Sequence, residues 1–434
     1  MNQTNQTSQR PAISVTELDL DASGAVTGFR AAPGAPAPVP GDVYALVRVD
    51  GRPAATVLGP YEPGEDPAEV LAALAARRLK ETAGPRTDAE RRAAAADPDP
   101  APPPERAPAS VVVATRERPA SLARALDSLL AQDHPDHELI VVDNAPRTSA
   151  TRDLVAERYA DRVRYVREDR PGLAAAHNAG VAAARGEVLA FTDDDVIADP
   201  RWLSALAAPF AADPGLGCVT GLILPARLTT PAQILLESHG GFAKGFAPRL
   251  YDPARPPADE PLFPFTAGSF GSGANMAFRA SALRRAGGFD PATGTGTPAK
   301  GGDDLYAFVA VLAAGHRLRY TPDALVWHHH RETWQDLRNQ AYGYGAGLTA
   351  YLTATLVRRP ALLPALLARL PRGLAHARTM TAERGAGDEP GHAPGEHGTA
   401  RHPWPASLSR LERRGMLYGP VGYLRARLSR GGAR

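Results

Sequence analysis

The sequence predicts an α/β fold in which helices flank a mostly parallel sheet. Between residues 110 and 192, four apolar runs of strand type alternate with helical segments, and the connections between them are short. That alternation is typical of parallel strands joined by right-handed crossovers. A small α+β module is predicted before this domain and a helical region after it. With 434 residues, 44% of them hydrophobic, the chain is long enough for two or three domains.

The composition argues against nucleic acid as a partner and against a disulfide or a membrane span. The 49 basic and 47 acidic residues nearly balance, which gives no electrostatic reason to expect nucleic-acid binding. The single cysteine, Cys218, cannot form an internal disulfide, and its apolar surroundings predict a core position. Because the chain shows neither a signal-peptide pattern nor an apolar run of about 18 residues, we expect a cytoplasmic protein without a membrane span.

The segments before the main domain differ sharply in composition. Residues 1–10 are polar and predicted to be disordered. Residues 11–83 are predicted to form the small α+β module, with strands in the runs ISVTELDLD, VYALVRVD and AATVLG and a helix over 67–80. This module shows no constellation of chemically active residues. Residues 84–109 are rich in proline, alanine and charge, which is typical of a solvated linker.

The main domain is predicted to span residues 110–333. Continuous apolar runs predict strands that are covered on both faces, and apolar residues at helical spacing predict the helices between them. The predicted strands are 110–115, 138–143, 163–168, 188–192, 217–224, 275–278 and, as two separate strands, the runs RLRY and ALVWH. The predicted helices begin at 119, 149, 172, 200 and 303.

Less regular structure is predicted in the second part of the chain. Residues 225–270 are rich in Gly, Pro and Phe, and a loop of that length is often a lid or a binding loop. Residues 334–378 are predicted to be a helical extension broken at prolines. Residues 379–404 are predicted to be disordered, and residues 405–434 form a basic, partly apolar C-terminal segment.

Polar residues follow the predicted parallel strands at the points where the strands end. In such sheets, ligands bind beyond the carboxyl ends of the strands. The candidate residues are therefore Thr115, Arg116, Asp143 and the run Asp193, Asp194 and Asp195. Three adjacent carboxylates repel one another unless a cation or hydrogen-bond donors compensate. Their hard oxygen ligands suit Mg²⁺ or Mn²⁺, but a solvent-exposed acidic turn explains the run alone equally well.

The order and spacing of several motifs resemble family 2 glycosyltransferases, whose GT-A fold has a Rossmann-like sheet. VVVATRERP, VVDN, GLAAAHNAGVAAARG and FTDDD resemble the donor-binding half of that family. GSGANMAFRASALRRAGGFD and GGDDLYAF resemble its acceptor side. The resemblance runs from about residue 110 to at least residue 331 and divides the main domain into a donor half, 110–224, and an acceptor half, 225–333.

The resemblance implies a nucleotide-sugar donor, with UDP the commonest carrier in the family, and a divalent cation, Mn²⁺ or Mg²⁺. It assigns Thr115 and Arg116 to contacts with the nucleotide, and Asp143 to a hydrogen bond from the base. Asp193 would meet the ribose and Asp195 the metal. The run offers three carboxylates for two roles, so Asp193 is also a candidate metal ligand, and Asp194 could replace either neighbour at the donor.

The resemblance also implies a general base at the start of the helix predicted over 303–314. Asp304 is assigned this role, with Asp303 as the alternate, because a carboxylate there could take the proton of an acceptor hydroxyl. Without the resemblance, a pair of helix-capping acids would be the favoured interpretation. A single base opposite the leaving group implies inversion at the anomeric carbon.

Histidines carry the remaining donor-side predictions. His328 is a candidate ligand for the metal or the diphosphate, because related enzymes use a histidine in this region, although a surface histidine cluster is equally compatible with the sequence. Alternation along a strand places His328 and His330 on one face and His329 on the other. His177 stands where many family members have an arginine, so its contact with the donor nucleotide is in doubt.

Acceptor-side residues are less clearly marked. Asn275, Trp327 and Arg331 are candidates: Asn275 for the shape of the pocket, Trp327 for stacking on a sugar, and Arg331 for offsetting diphosphate charge. A core position is the more common role for such a tryptophan. The expected acceptor is a glycan, a lipid-linked glycan or a small metabolite.

Two other functions and two other partners stay open. A nucleotidyltransferase would also use such a sheet and Mg²⁺, but ATRERP lacks the glycines of its first loop. A non-catalytic nucleotide- or sugar-binding protein of the same fold is the main alternative. The basic C-terminal segment is compatible with peripheral contact with the inner face of an anionic membrane, and a helical subdomain over the acceptor site or a homodimer contact is favoured over it.

Overall fold

The computed structural model describes residues 12–82, 90, 107–239, 241–369, 371 and 404–431. Several predicted segments lie outside the described residues. They are residues 1–10, most of the linker predicted over 84–109, residues 370 and 372–378 of the predicted helical extension, and the segment 379–403. The described residues form two β-sheets, one of four strands near the N-terminus and one of nine strands in the main domain.

The N-terminal module contains a four-stranded sheet with the order β2-β1-β3-β4 and one helix. Its elements are β1 (Ser14–Leu20), β2 (Val26–Ala31), β3 (Gly41–Val49), β4 (Arg52–Tyr61) and α1 (Pro67–Thr82). β1 and β3 run parallel, and the other neighbours are antiparallel. The sequence did not predict β2, because none of its residues is buried and they form no apolar pattern.

One face of this module packs on the main domain. Tyr44 and Leu46 of β3 lie in a buried apolar cluster together with Leu222, Leu224 and Trp327. At the rim of that cluster, the buried Arg48 guanidinium donates to Glu17 within the module at 2.8 Å and to Asp199 of the main domain at 2.6 Å. The module therefore shares a hydrophobic core with the main domain, which the sequence did not reveal.

The main sheet is mostly parallel, as predicted. Its strand order is β11-β13-β10-β12-β8-β5-β6-β7, and β9 pairs with β13 outside that path. The strands are β5 (Ala109–Thr115), β6 (His137–Asn144), β7 (Val163–Glu168), β8 (Val188–Asp193), β9 (Val196–Ala198), β10 (Leu216–Pro225), β11 (Arg249–Tyr251), β12 (Asn275–Arg279) and β13 (Arg317–His328). β7, β6, β5 and β8 are mutually parallel, and β12 runs antiparallel to β8 and β10.

The runs RLRY and ALVWH form one strand rather than two. β13 pairs with β10 in two stretches whose register shifts between Gly221 and Leu222, opposite residues 321–325. Pro322 lies in this irregular stretch and has no N–H to donate to the ladder. The Asn275 side chain donates to the carbonyl oxygens of Leu222 and Ala324, at 2.9 and 2.8 Å. An amide from the neighbouring strand thus satisfies the carbonyls that the shift releases.

Helices cover both faces of the main sheet. They are α2 (Pro119–Leu129), α3 (Ala150–Arg158), α4 (Leu173–Ala183), α5 (Trp202–Ala212), α6 (Pro231–Ser238), α7 (Ala280–Ala286), α8 (Asp303–Ala313), α9 (Trp334–Arg358) and α10 (Ala406–Gly431). The region 225–270, predicted to be an irregular loop, contains α6 and β11. Its helix was missed although Thr230 and Gln233 form a capping box at the N-terminus of α6.

The last two helices pack closely on each other and on the start of α8. A Cβ atom on Gly345 of α9 would come within 1.9 Å of the carbonyl oxygen of Glu412 in α10, so the two backbones touch. Gly302, in the left-handed region at φ 88°, precedes α8, and a Cβ there would come within 2.5 Å of the Gly347 carbonyl oxygen. None of the helices described here is long and apolar enough to cross a lipid bilayer.

Candidate active site

The acidic run lies at the carboxyl end of β8, next to the end of β5. Thr115 ends β5, and its hydroxyl donates to Asp194 Oδ2 at 2.6 Å. Arg118, the residue directly before helix α2, donates to Asp194 Oδ1 and, through its other terminal nitrogen, to Asp195 Oδ2 at 2.9 Å. Asp194 is therefore held by two donors from the loop after β5, and its carboxylate has little capacity left.

Besides Arg118, Asp195 contacts residues at and after the end of β13. The short strand β9 follows Asp195 directly and pairs with β13, with Val196 opposite His328. The His329 amide donates to the Asp195 carbonyl oxygen at 2.9 Å, which fixes the junction. As a result, His328 Nε2 lies 3.2 Å from Asp195 Oδ1, and Arg331 Nη1 lies 3.6 Å from Asp195 Oδ2.

These positions create a group of three residues whose side chains could hold a metal ion. One ligand atom each from Asp193, Asp195 and His328 lie within 4.8 Å of one another. Asp195 Oδ1 is buried without an aligned hydrogen-bond donor among the described residues. Two carboxylates and an imidazole suit Mn²⁺ better than Mg²⁺, which prefers oxygen ligands alone. The residues present therefore fit a divalent cation.

The pKa values of the run reflect incomplete compensation of its negative charge. Burial and the neighbouring Asp195 raise the pKa of Asp193 to about 7. Burial raises the pKa of Asp194 to about 6, although Arg118 opposes this shift. Burial also acts to raise the pKa of Asp195, but His328, Arg118 and Arg331 outweigh it, so its pKa lies below the usual range. A bound cation would add the positive charge that Asp193 lacks.

Asp143 lies at the end of β6, on the other side of β5 from the acidic run. It is fully buried, and its Oδ2 accepts a hydrogen bond from the Tyr165 hydroxyl at 2.9 Å. Burial raises its pKa, and Tyr165 opposes that shift. Among the described residues, no donor reaches Asp143 Oδ1, which is buried. Arg116, partly exposed, follows Thr115 at the same edge of the sheet.

Asp304 lies in the first turn of α8, where backbone amides hold its carboxylate. Its Oδ2 accepts from the Gly273 amide and its Oδ1 from the Leu305 amide, both at 2.8 Å. Burial and the neighbouring Asp303 raise its pKa to about 6. A carboxyl group with that pKa is ionised at neutral pH and still basic enough to accept a proton. Asp304 is partly exposed, whereas Asp303 is buried.

Asp303 instead faces His177 in the interior. His177 Nδ1 lies 3.2 Å from Asp303 Oδ2, and both side chains are almost completely buried. The His177 ring packs against Phe191 and Phe289, at centroid distances of 5.2 and 4.8 Å. The structure thus places His177 among core aromatic residues, beside Asp303 rather than at the surface.

Two of the acceptor-side candidates are buried in the core. Asn275 is fully buried: besides its two donated hydrogen bonds, its Oδ1 accepts from Trp202 Nε1 at 2.9 Å. Trp327 is also fully buried, in the cluster shared with the N-terminal module. Neither side chain can reach an acceptor without rearrangement of the core. Arg331 remains half-exposed, but it lies beside Asp195 and so belongs to the donor side.

Several residues of the site were not predicted. Arg118 and Lys244 are two positively charged residues of the site. Arg118 forms ion pairs with the acidic run. Lys244, in the loop after α6, lies close enough to Asp304 to interact with it electrostatically. Gly273 presents its amide to Asp304 from a segment assigned to acceptor binding. No local pattern identifies these residues, because each one acts on a group that is distant in the sequence.

Comparisons with known proteins agree with this arrangement. The sequence pattern that defines the family "Glycosyl transferase family 2" matches residues 110–286, which include β5, β6, β8 and the acidic run. The chain is 29% identical over 257 residues to a pre-mycofactocin glycosyltransferase of Mycobacterium tuberculosis, covering 58% of this chain and 50% of that protein. The chain thus spans half the length of this curated relative.

Other proteins match over a different share of their length. A glucosyl-dolichyl phosphate glucuronosyltransferase of Haloferax volcanii is 25% identical over 234 residues, which are 50% of this chain and 68% of that protein. The mannosyltransferase PcManGT of Pyrobaculum calidifontis, solved in complex with GDP-Man and Mn²⁺, superimposes with a TM-score of 0.46 and 21% identity, covering 81% of this chain and 94% of that one. Residues 110–286, the part of the chain that the family pattern covers, are similar in sequence to glycosyltransferase family 2.

Proposed function

We propose that this protein is a metal-dependent, inverting glycosyltransferase that moves a sugar from a nucleoside diphosphate to an acceptor hydroxyl. The observation that carries the proposal is the cluster of Asp193, Asp195 and His328. Its two carboxylates lie at the carboxyl end of β8 inside the segment that matches glycosyltransferase family 2, and His328 ends β13. An acidic run at that edge of a parallel sheet lies where such folds bind their ligands.

The donor side would divide the acidic run between two tasks. Asp193, Asp195 and His328 would hold Mn²⁺ or Mg²⁺, which when bound neutralises the departing diphosphate as a Lewis acid. Asp194 would instead anchor the loop after β5 through Thr115 and Arg118. That loop carries Arg116 toward the nucleotide, and the free Oδ1 of Asp143 would accept a hydrogen bond from the base. UDP is the favoured nucleotide.

The acceptor side would supply the base. In the proposed reaction, the acceptor oxygen forms a bond to the anomeric carbon while the bond from that carbon to the diphosphate oxygen breaks, with its electron pair leaving on the diphosphate. The proton of the acceptor hydroxyl passes to Asp304. The amides of Gly273 and Leu305 fix the carboxylate before the acceptor arrives, which reduces the entropy cost of reaching the transition state.

A thermal-shift panel tests the donor site. UDP, GDP, dTDP and CDP would each be added with and without Mn²⁺ to the wild type and to Asp195→Asn. A ligand that binds the folded state raises the melting temperature. We expect one nucleotide, UDP by preference, to give a Mn²⁺-dependent increase that the variant loses. If no nucleotide stabilises the wild type, the enzyme proposal fails; a shift without any turnover would favour a binding protein of the same fold.

The C-terminal helix α10 favours contact between the protein and an anionic membrane, where a lipid-linked acceptor would be located. Leu417, Val421, Leu424 and Leu428 form an exposed stripe on α10, and the two outer leucines are 82% and 75% exposed. Arginines 410, 413, 414, 425 and 427 are exposed around this stripe, and none of the exposed residues described in α10 is acidic. An apolar stripe flanked by arginines is typical of helices that lie in the lipid interface.

Vesicle co-sedimentation tests this membrane contact. We expect the wild type to sediment with phosphatidylglycerol vesicles and to stay in solution with phosphatidylcholine vesicles. The double variant Leu417→Glu, Leu428→Glu should lose binding, whereas Val39→Glu, which changes an exposed aliphatic residue of the N-terminal module, should retain it. The wild type could instead stay in solution with anionic vesicles and elute as a dimer, while the double variant elutes as a monomer. That result would show that α10 binds a second copy of the chain and not a membrane.

A further inference from the structure

A chain of buried polar contacts extends from the candidate metal site into the N-terminal module. Beyond His328, which contacts Asp195, His328 Nδ1 lies 3.0 Å from His330 Nδ1. His330 Nε2 lies 3.0 Å from Glu237 Oε2 in α6. The Tyr44 hydroxyl in β3 donates to Glu237 Oε1 at 3.4 Å. Three separate parts of the chain therefore meet in one line of contacts.

Because these contacts are buried, each polar atom in them needs a hydrogen-bond partner within the protein. Tyr44, Glu237 and His330 are each at most 2% exposed, so among these groups water cannot substitute for a missing partner. Phe242 covers the two histidines, with ring centroids 5.3 Å from His328 and 5.6 Å from His330. The cost of leaving a buried polar group unpaired is large compared with the value of one hydrogen bond in water. Each contact should therefore contain one donor and one acceptor.

That requirement determines which ring nitrogens carry protons. The Glu237 carboxylate can only accept, so His330 Nε2 carries a proton and donates to it. A neutral His330 then has a lone pair on Nδ1, which accepts from a proton on His328 Nδ1. Without a cation, a proton on His328 Nε2 faces Asp195; a bound cation takes the place of that proton, so that the lone pair it meets is the one on Nε2. Imidazole binds a metal through the nitrogen whose partner nitrogen is engaged as a donor.

From this geometry we infer that Glu237, oriented by Tyr44 of the N-terminal module, is a positioning group that acts through His330 to present His328 Nε2 to the bound cation. The inference rests on the proposed metal site. It gives the N-terminal module a role in the chemistry of the enzyme, although none of its residues touches the site directly. The contact from Tyr44 is longer than the others, so its share of the effect should be smaller.

Binding of Mn²⁺, followed by the loss of its free-ion EPR signal, tests the inference without an activity measurement. Losing the outer partner of a metal-binding histidine typically weakens metal affinity about 10- to 100-fold. We expect Glu237→Leu to raise the Mn²⁺ dissociation constant by about that factor and Tyr44→Phe by about 2- to 5-fold. Glu237→Gln keeps an oxygen that can accept from His330 and should recover most of the affinity.

A matched control separates positioning from general stability. Tyr159→Phe also removes a buried tyrosine hydroxyl that donates to a carboxylate, here Asp127 at 2.8 Å, far from the metal site. It should lower the melting temperature much as Tyr44→Phe does and leave Mn²⁺ affinity unchanged. Unchanged affinity in Tyr44→Phe, together with unchanged affinity in any folded Glu237→Leu, would overturn the inference.

The Asp195→Asn variant distinguishes failure of the inference from failure of the metal site. If the wild type binds Mn²⁺, Asp195→Asn weakens it and the Glu237 and Tyr44 variants do not, only the positioning role is lost. If the wild type binds no Mn²⁺, or Asp195→Asn binds it equally well, the metal site itself is wrong and the positioning role falls with it. Should Glu237→Leu fail to fold, Tyr44→Phe and Tyr159→Phe still decide the question.

Discussion

The two acidic pairs of the site are compensated in different ways. Asp194 and Asp195, after β8, are held by side-chain cations, chiefly Arg118 and His328. Asp304, at the start of α8, is held by backbone amides and lies beside the buried Asp303. Side-chain cations can be displaced by a metal ion, whereas backbone amides leave a carboxylate fixed and still basic. Asp194 and Asp195 are therefore suited to binding a metal cation, and Asp304 is suited to accepting a proton.

The largest effect on activity is expected from a substitution in the pair Asp194 and Asp195. Asp195→Asn keeps the size of the side chain but removes the charge that faces His328 and Arg331. Because a Lewis acid contributes several kcal/mol to the transition state, we expect kcat/KM to fall about 1,000-fold or more. Turnover of a radiolabelled or chromogenic donor at saturating Mn²⁺ would measure the loss. A variant that keeps the wild-type kcat/KM and the wild-type dependence on Mn²⁺ concentration would contradict a ligand role for Asp195.

Replacing the proposed base should separate turnover from binding. Asp304→Asn should lower kcat about 100- to 1,000-fold, within the range of general-base groups, and leave Mn²⁺ and nucleotide affinity unchanged. Because the pKa of Asp304 is raised, its ionised form destabilises the folded state above pH 6. The variant should therefore melt at the same temperature as the wild type or higher at pH 8. Asp303→Asn provides the control, since it changes a neighbouring carboxyl group that lies in the interior.

The pH profile gives a smaller but more specific test of the same residue. The base must be ionised to accept a proton, and the pKa of Asp304 is raised to about 6. We expect kcat/KM to be level above pH 7 and to fall about tenfold per unit well below pH 6. Mn²⁺ must be saturating at every pH so that metal loss does not produce the same limb. A profile that stays flat down to pH 5 would exclude Asp304 as the base.

The same comparison explains how far the sequence could predict the site. Parallel strands and their ends follow from apolar runs, so Asp143, Asp193 and Asp195 were placed correctly at one edge of the sheet. The spacing of residues along the chain does not say which groups neutralise them. Arg118 lies 76 residues from Asp194, and Tyr44 lies 193 residues from Glu237. Such pairs depend on tertiary packing, which no local pattern encodes.

The positions of two acceptor-side candidates have a related physical cause. The sequence made Asn275 a candidate for shaping the acceptor pocket and Trp327 a candidate for stacking on a sugar, with a core position the more common role for such a tryptophan. In the folded chain, the shift of register in β13 leaves carbonyl groups that need a donor, and Asn275 supplies it. Packing of the N-terminal module then buries Trp327. Both positions were determined by irregular strand pairing and by contact between modules, which the sequence pattern did not reveal.

The smallest expected effect compares two arginines that face Asp195. Arg118 bridges Asp194 and Asp195 at hydrogen-bond distance, whereas Arg331 is more exposed and lies 3.6 Å away. Without metal, Arg118→Gln should lower the free energy of unfolding by about 1–2 kcal/mol, because it removes two charged hydrogen bonds. Arg331→Gln should lower it by less than about 0.5 kcal/mol, as for other exposed ion pairs.

Urea unfolding in EDTA and in Mn²⁺ would measure both differences. A cation at Asp195 replaces the charge of Arg118, so Mn²⁺ should stabilise Arg118→Gln more than it stabilises the wild type. It should stabilise Arg331→Gln and the wild type equally. Equal stabilisation of all three proteins would mean that Arg118 and the metal ion do not share a carboxylate, and that the side-chain cations of the first acidic pair are permanent rather than exchangeable with metal.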